Sequence, residues 1–175
     1  MVDRQTVSLE VAKQEDQLVL SNLLELYVHD MSEFLPIEIG AKGRFGYDRL
    51  PRYWSEPEQR FPFLIYSGEK LAGFALVVRG SSVTDVPEDL DVAEFFVLRR
   101  HRRSSVGQRA ACLLWNRLPG QWVVRVSAAN RRALPFWRTT VQQYTGGVFA
   151  ERTLPGSPHE WQVFTFGTSA AEQAG

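Results

Sequence analysis

Apolar positions along this chain switch between a period of two and a period of three to four, and the switches predict alternating strands and helices. Thr6–Ala12 alternates and reads as a strand. From Gln14 to Phe34, Leu18, Leu20, Leu23, Leu24, Tyr27, Val28 and Met31 recur at helical spacing, and Pro36 stops the helix. Residues 36–59 are polar, with Tyr47, Tyr53 and Trp54 among glycines and arginines; the stretch is long for a plain loop and has room for a short helix. Phe61–Tyr66 and Leu71–Arg79 are β-rich and joined by Ser-Gly-Glu-Lys as a hairpin. A loop to Leu90 precedes a strand over Asp91–Leu98. Ser104–Leu118 has Val106, Ala110, Leu113 and Leu114 on one helical face, with Pro-Gly beyond its end. A strand over Trp122–Ala128, a helix from Asn130 to about Tyr144, and strands over Gly147–Arg152 and Glu160–Phe166 complete the pattern.

This is an α/β alternation within 175 residues, which predicts a single domain over 1–167 and a small, polar tail over 168–175. Hydrophobic residues make up 44% and charged residues 23%, which excludes a largely disordered chain. No apolar run reaches the roughly 18 residues of a membrane span, and the first residues lead into no secretory h-region. The lone Cys112 excludes an intramolecular disulfide, and a cytoplasmic location is the expectation. His29, His101 and His159 are too scattered for metal-ligand spacing, so no metal is expected.

Charge changes the picture. Residues 1–94 carry nine Lys/Arg against seventeen Asp/Glu, whereas residues 95–150 carry ten arginines and no acid. Such a stretch produces a local positive field suited to a polyanion or a phosphorylated ligand.

The arginines gather in Val97–Ala110, VLRRHRRSSVGQRA. A strand ends in a basic turn, and a helix opens with two serines and a glycine. Helix N-terminal amides have no intrahelical acceptor and sit at the positive end of the helix dipole, so they favour anions. Ser104 or Ser105 is placed to cap the helix. The segment reads as a phosphate cradle. It lacks the Gly-Lys-Ser/Thr of a P-loop and the glycines of a dinucleotide fingerprint.

Two motifs then converge. Arg102-x-x-Ser105-x-Gly107 at the turn, with Val97 and His101 before it, resembles the R-x-x-G-x-G/A loop of the GNAT (GCN5-related N-acetyltransferase) superfamily. Downstream, Asn130-x-x-Ala133-x-x-Phe136-Trp137 is similar to that family's Asn-x-x-Ala-x-x-hydrophobic-Tyr segment. The order of elements fits over nearly the whole chain. Ser105 stands where the first loop glycine is usual, and Trp137 where many members have a tyrosine.

The resemblance implies a mixed, mostly antiparallel sheet of six to seven strands with helices on both faces. It implies acetyl-coenzyme A as acyl donor and a primary amine, on a small molecule or a peptide, as acceptor. The pyrophosphate would meet the amides of Arg103, Ser104, Ser105, Val106, Gly107 and Gln108, with Arg102 and Arg109 nearby and Arg131 and Arg132 more remote. Pantetheine would pair with the backbone of Phe96, Val97 and Leu98, and Asn130 would contact its arm. Trp137 would pack against pantetheine or the neighbouring helix, since an indole N–H cannot deliver a proton.

Glu94 is the expected proton acceptor. It sits in an apolar strand, on the face shared with Val92 and Phe96, where desolvation favours a basic carboxylate. Tyr144, two helical turns beyond Trp137, is the expected proton donor to the leaving thiolate, with solvent as the alternative. The acceptor would be walled by Tyr27, His29, Asp30, Glu33 and the 40–54 stretch, with Tyr47, Tyr53 and Trp54 as an aromatic box. A homodimer is compatible with these expectations and a membrane association is not. A silent coenzyme A-binding module is the second reading, and a nucleic-acid binder using the ten arginines is the third.

Overall fold

A computed structural model describes residues 6–168 and folds them into seven strands and four α-helices. Along the chain, β1 (Val7–Val11) leads through one 3₁₀ turn into α1 (Gln17–Met31); a long connection holds the short α2 (Arg52–Ser55). The hairpin β2 (Arg60–Ser67) and β3 (Lys70–Arg79) is followed by β4 (Leu90–Val97), α3 (Val106–Arg117), β5 (Gly120–Ser127), α4 (Ala133–Thr145), β6 (Ala150–Leu154) and β7 (Trp161–Thr168). Thr168, expected in the tail, is the last residue of β7; residues 169–175 lie outside the described part. The helix expected to reach Phe34 ends at Met31 and unwinds through single turns before Pro36. Pro135 sits in the first turn of α4, where a missing N–H costs no helical bond.

The strands form one sheet in the order β1-β2-β3-β4-β5-β7-β6, antiparallel except where β4 meets β5. Side-chain alternation divides the apolar residues between two faces. Phe74, Leu76 and Phe96 pack with Leu20, Leu23 and Leu24 of α1 and Tyr53 of α2. On the other face Ala75, Val77, Trp122, Val124 and Phe164 pack with Ala111, Leu114 and Trp115 of α3 and Trp137 and Val141 of α4. Both faces of the sheet are therefore covered by helices.

Two irregularities shape the middle of the sheet. First, β4 and β5 pair only at Leu90–Trp122 and Asp91–Val123; beyond Asp91 the strands part, and β4 keeps a free edge along residues 92–97. Second, Leu76 faces Glu94 while Val77 faces Val92, so Ala93 is an extra residue in β4. This bulge reverses the side-chain phase. Val92 points to the α3–α4 face, and Glu94 and Phe96 point to the α1 face. The expectation that Glu94 shares a face with Val92 is corrected accordingly: an uninterrupted period of two holds only in an uninterrupted ladder.

Gly73 is required where β3 runs beside the end of β4. A Cβ there would lie 1.9 Å from the Phe96 carbonyl oxygen. Gly73→Ala must push the strands apart, and it should lower stability by about 2 kcal/mol in denaturant unfolding.

Candidate active site

The turn after β4 is built from strained backbone. After a 3₁₀ turn over Arg99–His101, Arg103 and Ser105 both adopt positive φ, +62° and +64°, and α3 begins at Val106. Arg102 N–H donates to the Arg99 carbonyl, and the next backbone bond is from Arg109 N–H to the Ser105 carbonyl at 3.0 Å. Between them the amides of Arg103, Ser104, Ser105, Val106, Gly107 and Gln108 take no backbone acceptor among the described residues. Six consecutive amides beside a helix N-terminus form a concave donor surface for an anion.

The serines do not cap the helix. Ser104 Oγ donates back to the His101 carbonyl at 2.7 Å, and Ser105 makes no capping bond. Ser105 instead holds the left-handed conformation that favours glycine, which explains why glycine suits this position. Ser105→Gly removes a backbone cost of roughly 1–2 kcal/mol and adds unfolded-chain entropy of roughly 0.5–1 kcal/mol. The variant should therefore unfold slightly later, with a Tm rise of about 1–3 °C, and should bind phosphate ligands at least as well as the parent.

Gly107 serves packing as well. A Cβ on it would lie 3.2 Å from the Phe136 ring of α4 and 3.5 Å from Val97. The bare backbone lets α3 approach α4, and the Gln108 side chain bonds Gln143 across the same gap.

The free edge of β4 has a defined polarity. Leu98 N–H donates to the Ala72 carbonyl of β3 at 2.8 Å, and the Phe96 carbonyl also points toward β3. Backbone groups alternate sides along an antiparallel ladder, so Phe95 and the Val97 N–H face the gap, while the Val97 carbonyl is taken by Arg102 Nε. Of the expected trio, Val97 faces outward, while Phe96 and Leu98 are committed to the sheet. Phe95, which sequence reasoning missed, takes their place.

The arginine surplus is partly internal. Asp30 of α1 accepts Arg99 Nη2 at 2.6 Å and Arg102 Nη2 at 2.7 Å, and both hold its carboxyl below the usual range against a burial effect that raises it. Arg102 Nε donates to the Val97 carbonyl at 2.7 Å, and its guanidinium lies over the Phe96 ring. Arg102 thus clasps the turn to α1, and its side chain points to Asp30. Arg125 pairs with Asp91 and Arg138 with Glu151. Four of the ten arginines are in this way bridged to acids from other segments, which weakens the reading of a polyanion-binding surface.

Glu94 lies at the bulge, partly buried on the α1 face. Tyr47 Oη donates to its Oε1 at 2.9 Å, and the Tyr27 hydroxyl is a second hydrogen-bonding neighbour. Burial pushes the Glu94 carboxyl above its ordinary range, the nearby Asp91 charge adds to this, and the two phenols and Arg125 pull part of the way back. The same carboxylate and burial push the Tyr27 and Tyr47 hydroxyls far up, so both stay protonated donors. Asp91, almost fully buried on the same strand, accepts Ser81 Oγ at 2.8 Å and Arg125 Nε at 3.1 Å.

The other expected site residues divide. Asn130 Oδ1 accepts Ala133 N–H at 3.1 Å and turns the chain into α4. Trp137 is buried against Phe95 at 5.0 Å and Trp115 at 6.3 Å between ring centroids. Tyr144 is not at the site. Its hydroxyl donates to Asn116 Oδ1 at 2.7 Å, and its ring packs on Trp115, beside the end of α3 remote from the phosphate turn. Seven residues of helix carry it about 10 Å beyond Trp137; a shared helix face is not a shared location. The aromatic box does not form either. Tyr53 is buried in the α1-side core, Trp54 Nε1 donates to the Ala12 carbonyl, and Tyr47 alone reaches Glu94. His29 is exposed on α1, 6.3 Å from the Phe45 ring. Glu33 lines a cleft of about 910 Å³ walled by residues 32–36, 128, 129, 131 and 158–160.

No family model matches this sequence, and no curated protein matches it. Solved structures do. Aminoglycoside acetyltransferase AAC(6')-Ib, solved with coenzyme A, superposes with a TM-score of 0.68 at 14% identity, over 97% of this chain and 99% of that one. The ribosomal-protein-S18-alanine N-acetyltransferase from Escherichia coli gives 0.60 at 14% identity, over 97% and 98%. Spermidine N-acetyltransferase from Vibrio cholerae, solved with coenzyme A and spermine, gives 0.63 at 11% identity, over 94% and 96%.

Proposed function

The chain has the GNAT acetyltransferase fold, and from that premise we propose that it transfers an acetyl group from acetyl-coenzyme A directly to a primary amine. The observation that carries this reading is the coincidence of three features along β4. The strand has a free edge, it runs into a turn whose amides have no backbone acceptor among the described residues, and it holds a carboxylate of raised pKa at its bulge.

In this reading the amides of residues 103–108 bind the pyrophosphate, with Arg103 and Arg109 nearby. Phe95 and Val97 pair with the pantetheine arm as an added strand would. Asn130 has its Oδ1 engaged, which leaves its amide nitrogen for the same arm. The donor supplies an activated thioester. Glu94 takes the acceptor's proton, directly or through one water, so that a neutral nitrogen can form the C–N bond as the C–S bond breaks. With Trp137 lacking an acidic proton and Tyr144 bonded elsewhere, solvent protonates the departing thiolate. The 910 Å³ cleft adjoins the chain just after β5, at Ala128 and Ala129. In this reading it admits the acceptor, with Glu33 and Glu160 on its walls.

A panel of amines assayed for thiol release from acetyl-coenzyme A, beside a coenzyme A titration, tests this. Release that depends on an amine supports transfer. Tight coenzyme A binding with no release for any amine supports the silent module.

A further inference from the structure

We propose that Glu25 is a positioning residue for this site: it fastens the 44–47 segment to α1 and so seats the Tyr47 hydroxyl on Glu94. The inference rests on the reading of Glu94 as proton acceptor.

The connection from α1 to α2 runs for twenty residues with little regular structure, and something must hold its middle in place. One carboxylate does. Glu25 accepts Phe45 N–H at 2.8 Å, Gly46 N–H at 3.0 Å and Arg44 Nε at 3.3 Å. Arg44 Nη2 also donates at 2.8 Å to Ser21, one helical turn before Glu25. Two successive amides on one carboxylate fix the orientation of the peptide between them. Gly46 then takes φ +75°, a left-handed turn open to glycine, and the next residue is Tyr47. Its hydroxyl reaches Glu94, 47 residues away in the chain. The route from helix to site is therefore Glu25, the 45–46 peptide, Tyr47 and Glu94, with one residue between the anchor and the phenol.

Burial raises the Glu25 carboxyl, and the two amides with Arg44 more than reverse this, so it is ionised and a strong acceptor. The groups facing Glu94 are Tyr27 from α1, Tyr47 from the connection, Tyr53 from α2, Asp91 on its own strand and Arg125 from β5. Arg49 lies near Tyr47. Within this set Tyr47 is the phenol carried by the connection that Glu25 holds.

The test follows the titration of Glu94 itself, through the side-chain carboxyl ¹³C shift in glutamate-labelled protein, assigned by its loss in Glu94→Gln. A hydrogen bond to the ionised form is worth about one pH unit or more. Losing it favours the protonated form. Tyr47→Phe and Glu25→Ala should each raise the Glu94 midpoint by about one unit, and the double variant should go no further. Glu25→Gln, which keeps the shape and loses the charge, should raise it by about half as much. The acid limb of kcat/KM should move the same way with coenzyme A affinity unchanged. A midpoint unmoved by Glu25→Ala but moved by Tyr47→Phe overturns the role of Glu25. A midpoint moved by neither overturns the Tyr47 link as well. The expected shifts together with a fully active Glu94→Gln would leave the positioning chain standing and remove the proton-acceptor reading alone.

Discussion

Glu94→Gln should lower kcat on the order of 100-fold while leaving coenzyme A affinity where it was. The substitution keeps the side-chain volume and an oxygen for the Tyr47 hydroxyl, so the α1 face has little reason to rearrange. What it removes is the basic group. The pH profile carries the sign. Burial holds the Glu94 carboxyl above the ordinary value of about 4.3, so its ionised, proton-accepting form grows in as pH rises through that higher midpoint. The parent protein should gain kcat/KM along this limb, and the Gln variant should lose the limb together with the rate. A kcat within a few-fold of the parent, with the acid limb intact, would return Glu94 to the role of a packed, hydrogen-bonded strand residue.

Gly107→Glu should weaken coenzyme A binding by at least about 100-fold, since it places a carboxylate among amides that await phosphate oxygens. Bulk adds to charge: the new Cβ meets the Phe136 ring at 3.2 Å. Gly107→Ala separates the two effects. A phenyl ring can yield by a few tenths of an ångström, so Ala should retain a cooperative melt and lose affinity by less than about tenfold. Calorimetric titration on both variants, with melting curves as the check on folding, reads the difference. A folded Gly107→Glu protein with parental affinity would show that phosphates do not lie on this turn.

Much of the architecture was legible from periodicity. The hairpin at 67–70, the strand entering an arginine-rich turn and the helix opening at two serines and a glycine all carry strong local signals. What stayed hidden were relations between distant residues. The bulge at Ala93 leaves no mark in the apolar pattern, yet it decides which face Glu94 uses. Glu25 reads as one more acid on an amphipathic helix, and its partners twenty residues on belong to a stretch without period. Arg102 carries the motif resemblance, but its guanidinium is held by Asp30, a residue the sequence offers as an acceptor wall. Tyr144 shows the converse error, in which helical spacing from Trp137 was correct and the distance along the axis was overlooked. Ser105 lies between these cases. Its position in the motif marked a missing glycine, and the positive φ supplies the reason.

The two-residue pairing of β4 with β5 divides the hydrogen-bonded ladder into two leaves, which the shared α3–α4 core still joins on one face. One leaf is β1–β4 with α3 laid across its β1 side; the other is β5–β7 with α4 against it. Such a seam is the natural place for opening short of global unfolding. Amide exchange in native conditions should be slow inside each leaf and fast for Phe95 and Val97 along the gap. A molecule that bridges the seam acts as mortar: it supplies the rungs missing from the ladder, and the two leaves then open as one unit.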